Sequence, residues 1–223
     1  MSSKPKRYFV NTLPDYDGAP IPLERELWVE RCRDTVQRVF THQGTGFDDC
    51  DGGLYVGVAG VAFMAHRVAQ SPHFAADRSR LLTKAQTYLG HALSYCDQPQ
   101  VRADRAMQSA FLLGSAGVWA LAAVVAAEVG RNDDCDNFLA SVITSAGHAH
   151  TGAAHGLSSI LLTLLHFPWF VAGDQTVERD IRASVDFLLH VQTPRGNFPC
   201  DLEDVTKPRR SQDELIHWCH GAP

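Results

Sequence analysis

The densest group of reactive side chains in this sequence is its final stretch, His217-Trp-Cys219-His220-Gly-Ala-Pro223, where one thiol sits among imidazoles. Cysteine and histidine both ligate zinc. A zinc site takes three or four protein ligands, however, and adjacent residues seldom converge on one ion without a further group from elsewhere. Two readings of Cys219 stand side by side, a partial metal site and a free thiol. His148 and His150 form a His-x-His pair that can bind metal opportunistically. His155 is of another kind, lying between glycines in Gly152-Ala-Ala-His155-Gly156 at the first turn of an apolar helical pattern. The positive end of a helix lowers an imidazole pKa, which leaves the ring neutral near pH 7 and able to exchange a proton. The alternative is a core histidine satisfied by a backbone carbonyl; the glycine setting favours a site residue. His66, His73, His91, His166 and His190 read as ordinary helix or loop residues.

The segments that must position these groups read as helices. Leu27, Trp28, Cys32, Val36, Val39 and Phe40 recur at three- and four-residue spacing among charged residues, which predicts an amphipathic helix ended by Gly44-Thr-Gly46. Gly53-Leu-Tyr-Val-Gly57-Val-Ala-Gly60 then runs into an apolar helix. A helix from about Phe74 to Tyr95 pairs with it, with Leu81, Leu82, Ala85, Tyr88, Leu89 and Ala92 on one face. The plan returns at Phe111-Leu-Leu-Gly114-Ser-Ala-Gly117, followed by a helix around Asp134 to Ser145. It returns again at His155-Gly156, followed by a helix from about Val177 to Val191, and opens a fourth time at Trp218. One glycine turn plus two helices, repeating at roughly 40 to 60 residues, is the signature of a helical array. Neither helix of a pair can hide its apolar stripe alone, so the pairs must stack. Glycine at the mouths lets an apolar helix start deep inside and aim its first amides at a central cavity.

Composition narrows the function classes. Hydrophobic residues at 45% and charged residues at 20% describe a globular chain. Residues 1–22 read as an irregular arm and 23–223 as the helical domain. A net charge of -5 with scattered cations excludes a nucleic-acid partner. No apolar run approaches the roughly 20 residues that span a bilayer, and the basic start is not followed by a hydrophobic signal region, so a cytoplasmic protein is expected. The six cysteines include no Cys-x-x-Cys pair and read mostly as small, reduced, buried residues.

Taken together, the motifs resemble those of the lanthionine synthetase C-like (LanC-like) family, most closely its eukaryotic members. The residues that carry the resemblance are Arg7-x-Phe9-x-Asn11, Gly53-Leu-Tyr-x-Gly57-x-Ala-Gly60, Phe111-Leu-x-Gly114-x-Ala-Gly117, Gly152-Ala-Ala-His155-Gly156-Leu-Ser-Ser-Ile160, Gly196-Asn-Phe-Pro199 and His217-Trp-Cys-His-Gly-Ala-Pro223. Gln70-Ser-Pro72 and Leu157-Ser-Ser-Ile160 look most like one vertebrate paralogue group. The resemblance implies an all-α fold, an alpha/alpha toroid of helical hairpins in an inner and an outer ring, here incomplete, with about three hairpins and the start of a fourth.

The family chemistry is zinc-dependent addition of a thiol to dehydroalanine or dehydrobutyrine residues, with glutathione as the thiol in eukaryotic members. By that resemblance Cys219 matches the first zinc ligand and His155 the residue that protonates the enolate. His220 occupies a position that is tyrosine in many bacterial members, and Arg7 is a candidate for holding a glutathione carboxylate. Two departures stand out. The cysteine-histidine pair that completes the family's zinc site has no counterpart in these 223 residues, and there is too little sequence between Phe138 and His150 for the hairpin that family members carry there. The expectation is a truncated chain that binds zinc weakly or not at all, is inactive, and self-associates through uncovered apolar helix faces. Two other classes remain, a non-catalytic glutathione-binding or interaction module and a carbohydrate-active toroid enzyme. The latter wants two carboxylates facing the cavity, and no acidic residue lies inside the four glycine-turn motifs.

Overall fold

The computed structural model describes residues 12–15, 17–20, 22, 24–47, 50–146, 156–207 and 214–217. Among them every extended regular element is a helix, and Gly156 and His217 each form a single β-bridge. Helix α1 (Arg25–His42) precedes a first hairpin of α2 (Val58–Ala69) and α3 (Arg78–Cys96). Short helices α4 (Pro99–Ala103) and α5 (Arg105–Ser109) lead to a second hairpin of α6 (Ser115–Glu128) and α7 (Asn132–Ser145). A third unit comprises α8 (Leu157–Leu165), α9 (Pro168–Gly173) and α10 (Gln175–Val191), and α11 (Leu202–Thr206) follows. The inner helices α2, α6 and α8 adjoin in that order, with α3, α7 and α10 as their outer partners. Helix α8 packs on both α6 and α7.

Helix α6 explains how the hairpins join. It is apolar around its whole circumference because each side belongs to a different core. Val118, Leu121, Ala122 and Val125 pack with Val58, Ala62, Tyr88 and Leu89 of the first hairpin. Ala116, Ala120, Ala123 and Ala126 pack with Leu139, Val142, Ile160, Leu164 and Ile181. The all-alanine side lets backbones approach closely, so a helix with no polar face is stable only in the middle of a stack.

Periodicity located α3's buried face correctly: Leu81, Leu82, Ala85, Tyr88, Leu89 and Ala92 are all buried, and Cys96 joins them. Its start differs from the expected Phe74. Pro72–Asp77 is a 3-10 turn, and Phe74 (φ -118°, ψ 19°) breaks the helical run before α3 begins at Arg78. In α1 only Val36 is fully buried; Trp28 is 65% exposed, while Val29 and Cys32 pack partly against the cluster of Val36, Phe74 and Leu81. Its second half is held through Phe40, which stacks on Tyr88, and the Tyr88 hydroxyl donates to the Gln43 carbonyl at 2.6 Å.

Glycine recurs at the inner mouths for a steric reason visible in two turns. Gly60 and Gly117 are each the third residue of their helix, and each lies beneath a carbonyl six residues earlier, Leu54 O and Phe111 O respectively. A Cβ on Gly60 would stand 2.6 Å from the Leu54 oxygen, and one on Gly117 would meet the Phe111 oxygen more closely still. Gly90, by contrast, has nothing within 4 Å of its missing Cβ and sits mid-helix in α3. Gly117→Ala should therefore lower stability by about 2 kcal/mol or more, through forced backbone movement. Gly90→Ala should raise it by roughly 0.5–1 kcal/mol, through helix propensity. Urea titrations of the two variants against the parent chain check both signs.

Candidate functional site

The first two glycine turns are joined into one rim. The amides of Leu54 and Tyr55 in the first glycine turn both donate to the Leu112 carbonyl in the second, at 2.9 and 3.0 Å. Asp51 shapes the first turn: its Oδ1 accepts from the Gly53 amide at 2.7 Å and its carbonyl accepts from Val58 N at 3.0 Å. That role is architectural. Beside the rim, α2, α6 and α8 enclose a cavity of about 330 Å³ lined by Leu54, Tyr55, Phe63, Phe111, Leu121 and Thr163. Its walls are almost wholly apolar, and Tyr55 and Phe63 are 74% and 49% exposed. Leu162 and Leu165 on α8 are also exposed. Such a surface binds apolar groups and offers no charge to a small polar molecule.

Of the residues singled out from the sequence, Arg7, His155, Cys219 and His220 all lie outside the described residues, as do His148 and His150. Their described neighbours are ordered by specific contacts. Gly156, directly after His155, is buried, extended, and the N-cap of α8. His217, two residues before Cys219, is exposed. These are the two bridge residues among the described residues. The segment leading into His217 is held by Asn197, whose side-chain Nδ2 donates to the Leu215 carbonyl at 3.2 Å. Asn197 is itself fixed in a tight turn. Its amide donates to Thr193 Oγ1 at 3.1 Å, its carbonyl accepts from Thr193 N at 2.8 Å, and Gly196 supplies the left-handed φ of +83°. The Gly196-Asn197 pair was legible as a motif, but its task, anchoring a segment 18 residues further on, was not.

Among the described residues no three His, Cys, Asp or Glu side chains converge as a metal site. Burial pushes the Cys96 and Cys135 thiols above the ordinary range, which makes both poor nucleophiles. His66 corrects the sequence reading. It is 2% exposed, and burial lowers its pKa, against the opposing pull of Glu128. The period-3.6 pattern places it on α2 but carries no sign that the polar groups of three helices meet there.

An array of inner and outer helices with glycine-lined mouths is an α/α-toroid architecture. Residues 143–223 match the family model described as lanthionine synthetase C-like protein. A 74-residue stretch is 38% identical to glutathione S-transferase LANCL1 of Danio rerio, covering 33% of this chain and 16% of that protein. Over residues 143–223 the chain is thus similar to LanC-like proteins, and it spans only a small part of the length of the relative it matches. No helix among the described residues is long and apolar enough to cross a membrane.

If Asn197 anchors the approach to His217, Asn197→Ala should free that segment. Losing one hydrogen bond of about 1 kcal/mol predicts roughly fivefold faster amide exchange over residues 214–217, with α2 and α6 unaffected. Hydrogen-exchange mass spectrometry checks it.

Proposed function

We propose that this chain derives from, and carries part of the machinery of, an enzyme that adds glutathione to dehydroalanine or dehydrobutyrine residues of proteins. The observation that supports this most is the match over residues 143–223, which contains both Ala-His155-Gly and Trp-Cys219-His220, together with a relative that is itself a glutathione S-transferase.

In this reading the thiol gives up its proton, the thiolate sulfur bonds to the dehydroamino acid's β-carbon, and the carbon-carbon π electrons move onto the carbonyl as an enolate. His155, having taken up a proton to become imidazolium, passes it to the α-carbon and returns to the neutral ring, so that one proton is released and one consumed. Zinc in this family supplies an activated thiolate. Here Cys219 is its one matched ligand, His220 lies beside it, and Arg7 is assigned to a glutathione carboxylate. One matched ligand does not by itself hold zinc, so residues 1–223 taken on their own are expected to be zinc-poor and inactive. The reading also takes the protein to be cytoplasmic and to belong to the third vertebrate paralogue group. An interaction module is favoured as the second reading by the exposed apolar side chains of Tyr55, Phe63, Leu162 and Leu165, which would also promote self-association.

Mass spectrometry of a dehydroalanine peptide incubated with glutathione tests the proposal. The 223-residue chain should give no thioether above background. A chain extended through a further hairpin bearing a Cys-His pair should give turnover with stoichiometric zinc. In the extended chain Cys219→Ala should lose the zinc and the activity, and His155→Ala should lose at least roughly 100-fold in kcat with zinc retained. Robust turnover by the 223-residue chain, or full activity of the extended His155→Ala variant, contradicts these assignments.

A further inference from the structure

At the ends of the inner helices opposite the glycine turns, the polar groups of three helices meet around one buried imidazole. His66 lies in the last turn of α2, Glu128 is the last residue of α6, and Arg78 is the first of α3. Arg78 is ion-paired to Glu128 Oε1, and the His66 Nε2 stands 3.9 Å from Glu128 Oε2. The charged groups acting on the ring are Glu128 from α6, Arg78 from α3 and Arg67 from α2 itself. Asp77 of the intervening 3-10 turn is paired with Arg80 instead.

The hydrogen bonds assign the ring's proton. Arg67 donates to Gln70 Oε1 at 2.6 Å, which fixes the amide so that Gln70 Nε2, a donor, faces His66 Nε2 at 3.3 Å. Nε2 is therefore the acceptor of a neutral ring whose proton is on Nδ1. That Nδ1 is buried without a partner. Gln70 and Glu128 thus compete for the same nitrogen: the amide needs it unprotonated, the carboxylate needs it protonated.

We propose that His66 is a proton-operated clasp between the first and second hairpins, in which a proton taken up at Nε2 exchanges the Gln70 contact for a Glu128 contact. On acidification the Nε2–H turns to Glu128, Gln70 is released, and Glu128 divides its charge between His66 and Arg78. Burial holds the folded-state pKa below the ordinary 6.5, so the unfolded chain takes up its proton first. Stability is constant well above pH 6.5 and falls as pH drops from there toward the folded pKa.

Long-range proton-nitrogen correlation spectra of the 15N-labelled full chain, recorded from pH 8 to 5, test this. Circular dichroism on each variant establishes that it is folded. At pH 8 the His66 ring should be neutral with its proton on Nδ1. Glu128→Gln should lower the proton affinity by roughly tenfold, whereas Gln70→Leu and Arg78→Gln should each raise it. Urea titrations should show the fall in stability below pH 6.5 in the parent and its loss in His66→Leu. A ring carrying its proton on Nε2 at pH 8 overturns the proposal. So does a midpoint at or above 6.5 in the parent, or one that none of the three substitutions moves.

Discussion

The structure depends on an exclusion: no side chain fits at the third residue of α2 or of α6. Gly60 and Gly117 lie under the carbonyls of Leu54 and Phe111, and the incoming loop folds back over the helix start at van der Waals distance. From that close approach the rest follows. The loop's own amides reach the neighbouring turn, the helices begin at the inner rim, and the first-turn residues of α8 come directly after His155. The third turn departs from the first two by carrying Ser159 at the equivalent position, after Gly156. Whatever roofs that helix must leave room for a hydroxymethyl group, a physical difference between the repeat that carries the candidate proton donor and the two that do not.

Between the hairpins, apolar and polar contacts divide the labour. Helix α6 gives one side to each neighbouring core, and its alanines let backbones do the packing. The exposed ion pairs, such as Arg182 with Glu178 and Arg179 with Asp180, add little, because solvent screens them. The His66 group differs in being buried, where an unmatched polar atom is costly and a proton changes the balance.

How much of this was legible follows from the range over which each signal acts. Helix identity and the buried face of α3 are local, period-3.6 information, and the residues on that face were correctly named. The boundary at Arg78 was misjudged because Pro72 opens a helix-like turn that Phe74's backbone then breaks. The exposure of Trp28 and the burial of His66 depend on which partners arrive from elsewhere, and no spacing rule within one helix reports that. The resemblance to LanC-like proteins was legible from the motifs around His155 and Cys219, residues whose own geometry lies outside the described part. The support beneath those motifs was not legible: Asn197 reaches Leu215 across 18 residues, and a single asparagine in a turn does not announce its acceptor.

The Leu112 carbonyl, accepting from both Leu54 and Tyr55, makes the glycine rim a pivot. Two backbone bonds pin the hairpins to each other at that end, so any change in the angle between them is least costly as a rotation about this point. A rotation so pinned scarcely moves the rim and sweeps widest at the opposite ends of α2 and α6. His66 and Glu128 stand there, at the tip of the lever, where a small force has its greatest mechanical advantage.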